Sequence, residues 1–141
     1  MAATQSSTFK SHHAALCIDG DTGPVDGLGM WDFCHTKNER YPWFAADYGI
    51  AYAIERVEIV NRHNCRSCAK WTRNVEVRVS DDLPTSATQK FSGGSLLGTF
   101  PGPGTNGQHI IISGGNLDKI LDMSIHLRQM GIWQICHSPD G

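Results

Sequence analysis

The chain has 141 residues (15.5 kDa), with 12 Lys and Arg against 14 Asp and Glu, a formal charge of −2 and a pI near 6.3. That length suits one domain with a sizeable core, and the weakly acidic balance excludes the basic footprint that nucleic-acid phosphates require. No run of about 18 apolar residues is present, which excludes a membrane-spanning helix.

Gly 15 and Pro 6 lie scattered among short apolar runs, a pattern that predicts strands joined by turns. The N-terminus, Met1-Ala2-Ala3-Thr4-Gln5, lacks the charged-then-apolar pattern of a signal peptide, so a secreted protein would have shed its leader or left by another route. Residues 2–8 are small and hydroxyl-bearing and suit a sheet edge, and 11–17 suit a short turn of helix. Ile18-Asp19-Gly20-Asp21-Thr22-Gly23 alternates carboxylates with glycines, which serves either a hard cation such as calcium or a plain Asx-rich turn. A polar loop then runs from Trp31 to Glu39, and 42–49 restart an apolar strand with Trp43 and Phe44 as core residues.

In the strand expected over 54–60, Val57 and Ile59 share one face and Glu58 the other, because side chains alternate along a strand. Residues 74–80 alternate without a fault, Val75, Val77 and Val79 inward. Residues 81–94 form a polar turn region, 95–100 a strand, 101–107 a Pro- and Gly-rich loop, and His109-Ile110-Ile111-Ile112 another strand. Leu121, Met123, Ile125 and Leu127 share one face of a further strand, and 131–136 make the last. About seven to nine short strands predict an all-β fold, an antiparallel β-sandwich or jelly roll forming a single domain over 1–141, with its sites in loops at one end.

One loop stands out. Residues 61–74 pack Cys65 and Cys68, the cations Arg62, Arg66, Lys70 and Arg73, His63 and Trp71 between two strands, and a polar loop on a sheet end is where β domains keep their function. Five cysteines (Cys17, Cys34, Cys65, Cys68, Cys136) allow two disulfides and a thiol, or a thiol protein, or a zinc site that draws on His35 or His63. Catalytic signatures such as G-x-S-x-G, H-E-x-x-H or a phosphate-binding glycine loop are absent. A Cys34–His35 nucleophile pair is disfavoured, since adjacent strand residues point to opposite sides. Nothing in the sequence supports an enzyme, although a carboxylate pair for glycoside hydrolysis has no fixed spacing to search for.

Taken together, Cys34-His35-Thr36-Lys37-Asn38-Glu39, Pro42-Trp43-Phe44, Ile59-Val60-Asn61-Arg62 with the cysteine pair, and the 74–80 strand resemble the fucolectin (F-type lectin) family of discoidin-like β domains. The family pattern sets a histidine some two dozen residues ahead of Arg-x-Asp-Cys-Cys-x-x-Arg. Here 26 residues (36–61) separate His35 from Arg62. The resemblance implies an extracellular, calcium-containing lectin that binds L-fucose or fucosylated glycans, with roles in cell adhesion or innate immunity and with several sites brought together in a homo-oligomer or a tandem-domain parent. It implies His35 and Arg62 as polar anchors and a Cys65–Cys68 bridge as part of an apolar surface. Two residues are inserted between those cysteines, Asn64 replaces an aspartate, and Trp71 falls where the family has its second arginine, with Arg66 or Lys70 as replacement donors. The alternative is therefore a discoidin-like adhesion module with a different sugar, such as a galactose-type glycan, or no sugar. The resemblance also implies a Cys34–Cys136 bridge that leaves Cys17 unpaired, worth about 4–5 kcal/mol in the chain-entropy picture. Its calcium set would comprise Leu16, Asp19, Asp21, Asp32, Cys136 and His137, the last in place of a glutamate.

Overall fold

The computed structural model describes residues 1–20, 33–50, 53–62, 65–114 and 128–132. Its strands are β1 (Ala2–Gln5), β2 (Phe44–Asp47), β3 (Arg56–Val60), β4 (Val75–Ser80), β5 (Ser95–Phe100), β6 (His109–Ser113) and β7 (Arg128–Ile132), and its helical pieces are a 3₁₀ turn (Ala14–Cys17) and the single turn α1 (Arg66–Ala69). Five strands form one antiparallel sheet in the order β1-β2-β7-β4-β5, and β3 pairs with β6 in a second. This is the all-β sandwich that the alternation predicts, with β1 on the edge that its small residues suit.

The period of two explains where the main core sits. Val75 and Val77 of β4 face Ile59 of β3 and Ile110 and Ile112 of β6 across the sandwich, and all five are buried. Val57, Leu97 and Phe100 close the edges of this cluster. Glu76 and Arg78 take the opposite face of β4, since successive side chains alternate. A second apolar cluster joins Ala14, Cys34, Phe44 and Ala46 where the 3₁₀ turn packs under β2.

β7 lies centrally between β2 and β4, and Gly131 pairs with Phe44 on one side and Val77 on the other. The sequence predicts the final strand over 131–136. The paired strand instead runs through Gly131 and starts at Arg128. The strand expected around Leu121 to Leu127 and positions 133–136 lie outside the described residues.

Two close approaches depend on glycine. A Cβ on Gly98 would stand 2.6 Å from Ile112 Cγ2, where β5 crosses β6. Gly94 has φ +64°, and a Cβ there would lie 2.1 Å from the Val79 carbonyl oxygen. A side chain at Gly94 therefore meets backbone that cannot step aside, in a conformation L-residues avoid. Gly94→Ala should lower the unfolding free energy by about 1–3 kcal/mol, read from the denaturant midpoint. A midpoint equal to that of the parent protein would contradict this.

Candidate functional site

The site is built from two polar loops, each tied down by one side-chain amide. On the first, Gln5 at the end of β1 sends Nε2 to Thr8 Oγ1 (3.0 Å), the His12 carbonyl (2.9 Å) and the His35 carbonyl (3.4 Å). The Phe9 amide also donates to the His35 carbonyl at 2.9 Å, and His35 N donates to the His12 carbonyl at 3.2 Å. Segments 8–12 and 33–37 thus run as one unit beneath the N-terminal edge. Ser7 Oγ accepts from Lys37 N (2.9 Å), and Ser6 Oγ donates to Glu39 (2.5 Å), which closes that unit.

On the second loop, Asn61 is the strut. Its Nδ2 donates to the carbonyls of Ala69 (3.0 Å) and Thr105 (2.9 Å), while Oδ1 accepts from Thr72 Oγ1 (2.7 Å) and the Arg62 amide (3.1 Å). Asn61 is 5% exposed, so its amide has all four bonds to protein groups and little access to water. The arrangement fixes α1, Trp71 and Arg62 against the loop before β6. Gly104 makes room for it, since a Cβ there would lie 2.6 Å from Asn61 Nδ2 and 2.9 Å from the Ala69 carbonyl. α1 is the short helix formed by the Cys65-Arg66-Ser67-Cys68 insertion, with Cys65 Sγ accepting from the Cys68 amide at its N-terminus.

The two loops meet through aromatic rings. The Arg62 guanidinium carbon lies 4.4 Å from the centroid of Phe33 and 5.9 Å from Trp71, a cation set over ring faces. His35 stands edge-on to Trp71 with centroids 6.4 Å apart and 6.1 Å from Phe33, so His35 and Arg62 share both rings as neighbours. Phe9, 39% exposed, adds a further ring 5.0 Å from His35. Behind them, buried His12 stacks on Phe33 at 4.5 Å and bonds the Phe33 carbonyl through Nδ1 at 3.0 Å.

His35 is 8% exposed, and its Nδ1 bonds the Thr36 carbonyl at 2.5 Å. A carbonyl only accepts, so Nδ1 carries the proton in this contact. Burial pushes the Arg62 guanidinium below its ordinary pKa, yet an arginine stays charged at neutral pH. Desolvation of that charge strengthens any hydrogen bond it makes to a ligand oxygen.

Of the residues expected at the site, the structure brings His35, Arg62 and Trp71 together and places the Cys65–Cys68 bridge, Cα atoms 5.2 Å apart, on α1 in the same loop. Arg66 on α1 and Lys70 at its C-terminal cap are both exposed. The Cys34–Cys136 pairing is overturned: Cys34 is bonded to Cys17, with Cα atoms 5.4 Å apart. The reason is local, since the 3₁₀ turn carries Cys17 up to Cys34 N (3.3 Å to Cys17 Sγ), which leaves Cys34 no sulfur valence for a distant partner. Cys17 is therefore not the leftover thiol. Of the calcium set, Leu16 lies in the 3₁₀ turn and exposed Asp19 follows it, before Gly20 at φ +85°. Asp21, Asp32, Cys136 and His137 lie outside the described residues, as does His63.

Sequence reasoning missed Gln5, Phe9, His12, Phe33, Asn61 and Thr72 as site builders. Their contacts reach 30 positions for Gln5 to His35 and 44 for Asn61 to Thr105, and no local pattern signals such pairs.

Residues 16–110 match the model of a family described as NedA-like, galactose-binding domain. No curated protein matches the chain. Among solved structures, the chain is similar to a fucolectin from striped bass (Morone saxatilis) serum at 21% identity and TM-score 0.69, over 94% of this chain and 40% of that one. It is also similar to the lectin domain of lectinolysin in complex with Lewis B antigen (20%, TM-score 0.63, 94% of this chain and 79% of that one). A Streptococcus pneumoniae fucose binding module gives 15% identity and TM-score 0.63, over 96% and 80%. These likenesses show the fold, an all-β discoidin-like sandwich, and the chain spans two-fifths of the striped bass lectin. Among the described residues, no helix is long and apolar enough to cross a membrane.

Proposed function

The chain belongs to the NedA-like, galactose-binding domain family, and from that premise we propose that it is a carbohydrate-binding lectin module whose site lies between His35, Arg62 and Trp71. The observation that carries the proposal is Arg62, its guanidinium partly buried over Phe33 and beside Trp71, with His35 on the same two rings. A monosaccharide needs this combination: directional donors and acceptors for vicinal hydroxyls, and a ring surface for its C–H face. L-Fucose, the sugar of the similar Streptococcus pneumoniae fucose binding module, is the first candidate. Trp71 beside Arg62, at the position of the family's second arginine, favours a second reading in which the indole stacks on a pyranose of galactose type.

Titration calorimetry with L-fucose and D-galactose tests both readings. Arg62→Ala should weaken binding of the preferred sugar at least tenfold, the value of one charge-assisted hydrogen bond of about 1.5–3 kcal/mol. An affinity unchanged in both Arg62→Ala and His35→Ala would remove this site. Two disulfides suit an extracellular protein, and one weak site per chain suits an oligomer or tandem array.

Calcium belongs to the same proposal. The Leu16 carbonyl, exposed Asp19 and the turn at Gly20 fit a hard cation, whose other ligands would come from Asp21, Asp32, Cys136 and His137. Calcium should then raise the melting temperature and EDTA should reverse the rise. Identical melting curves with calcium and with EDTA would exclude it.

A further inference from the structure

A cleft of about 680 Å³ opens between segment 40–43, loop 86–91 and the adjoining ends of β4 and β5. None of its lining residues belongs to the Arg62 site. Tyr41, Trp43, Phe91 and Phe100 supply rings, and Glu76 and Lys90 supply charge. From this lining we infer that the cleft is a second saccharide site, which takes one pyranose ring against the aromatic wall with its hydroxyls on Glu76.

Three observations carry the inference. The volume lies in the range of small-ligand sites, and rings interleaved with a few convergent polar groups are what an amphipathic sugar requires. The walls are held in place before any ligand arrives: Tyr41 N donates to the Ala87 carbonyl (2.8 Å), Asn74 N to the Pro101 carbonyl (3.1 Å), and Arg78 Nη1 to the Ser92 carbonyl (3.4 Å). The third is Glu76, which projects from β4 on the face opposite Val75 and Val77 and is gripped by Lys90 and by Arg78 Nε at 3.2 Å. Burial alone would raise its pKa, but the hydrogen bonds and charges of Lys90 and Arg78 outweigh burial and hold it below the ordinary carboxylate range. The carboxylate is thus an ionised acceptor whose charge is already balanced, suited to hydroxyl groups more than to a cationic ligand.

Trp43 supplies both wall and reporter. Its Nε1–H is buried and meets no acceptor among the described residues.

The inference shares its ligand class with the proposed function but not its residues, and the test keeps the two apart. The Trp43 indole N–H resonance is followed in Arg62→Ala protein during titration with L-fucose, D-galactose and D-galacturonate. A saturable shift with at least one sugar is expected, and Glu76→Gln or exposed Gln89→Ala, each added to Arg62→Ala, should weaken it about tenfold. Absence of a saturable Trp43 response to all three sugars overturns the inference. So does a response that occurs in the parent protein and disappears in Arg62→Ala, or one that both cleft substitutions leave unchanged.

Discussion

Asn61→Ala should destabilise the protein by about 3 kcal/mol and abolish sugar binding, although Asn61 itself makes no contact with the proposed ligand position. The substitution removes four hydrogen bonds at once, leaves the buried Thr72 hydroxyl without its acceptor, and leaves the Ala69 and Thr105 carbonyls only their backbone donors, Thr72 N at 3.3 Å and Gln108 N at 3.2 Å. Each buried polar group so abandoned costs about 1–3 kcal/mol, with partial recovery where a loop relaxes or water enters the space. Relaxation is the route to lost binding, because the Arg62 amide and the carbonyl at the end of α1 both hang on this side chain. Thr72→Val should cost less, about 1 kcal/mol, and in the double mutant the two losses should fall short of additivity, since the hydroxyl donates to Asn61 Oδ1. Urea unfolding of the three variants measures the cycle. An Asn61→Ala protein within about 0.5 kcal/mol of the parent would mean that the strut carries no weight.

Why the strut escaped the sequence reading while the sheets did not is a matter of range. The faultless alternation of Val75, Val77 and Val79, and of Ile110 and Ile112 about Ile111, encodes which face is inward, and the sandwich follows from it. The loop 61–74 stands out as a candidate in the sequence because its cations, cysteines and tryptophan lie close together. Its internal geometry does not: α1 is a single turn, too short for a period of 3.6 to show, and Asn61 works through residues 8 to 44 positions away. β7 begins at Arg128, three residues ahead of the expected start at Gly131, and pairs with β2 and β4 on both sides, contacts that no local pattern signals. Phe33 and Phe9 were passed over because a lone phenylalanine in a loop says nothing about which distant cation or ring it will meet.

The bridge between Cys17 and Cys34 should dominate the redox dependence of stability. In the chain-entropy picture, a loop of 17 residues is worth about 3 kcal/mol and one of 3 residues under about 2 kcal/mol, so the two disulfides separate in size before any structural detail is added. Packing adds to the contrast. Cys34 is buried in the cluster with Ala14, Phe44 and Ala46, so its bridge also fastens the 3₁₀ turn under β2, whereas Cys65 and Cys68 sit on a loop with partial access to water. Cys17→Ala should therefore lower the unfolding free energy by about 3 kcal/mol, and Cys68→Ala by about half as much. The functional order should be reversed, because α1 and Trp71 belong to the proposed sugar site: Cys68→Ala should weaken sugar binding more than Cys17→Ala does. Peptide mapping without reductant should recover residues 17 and 34 in one linked fragment. Recovery of 34 linked to 136 instead, or a Cys17→Ala protein as stable as the parent, would overturn the pairing and the expectation built on it.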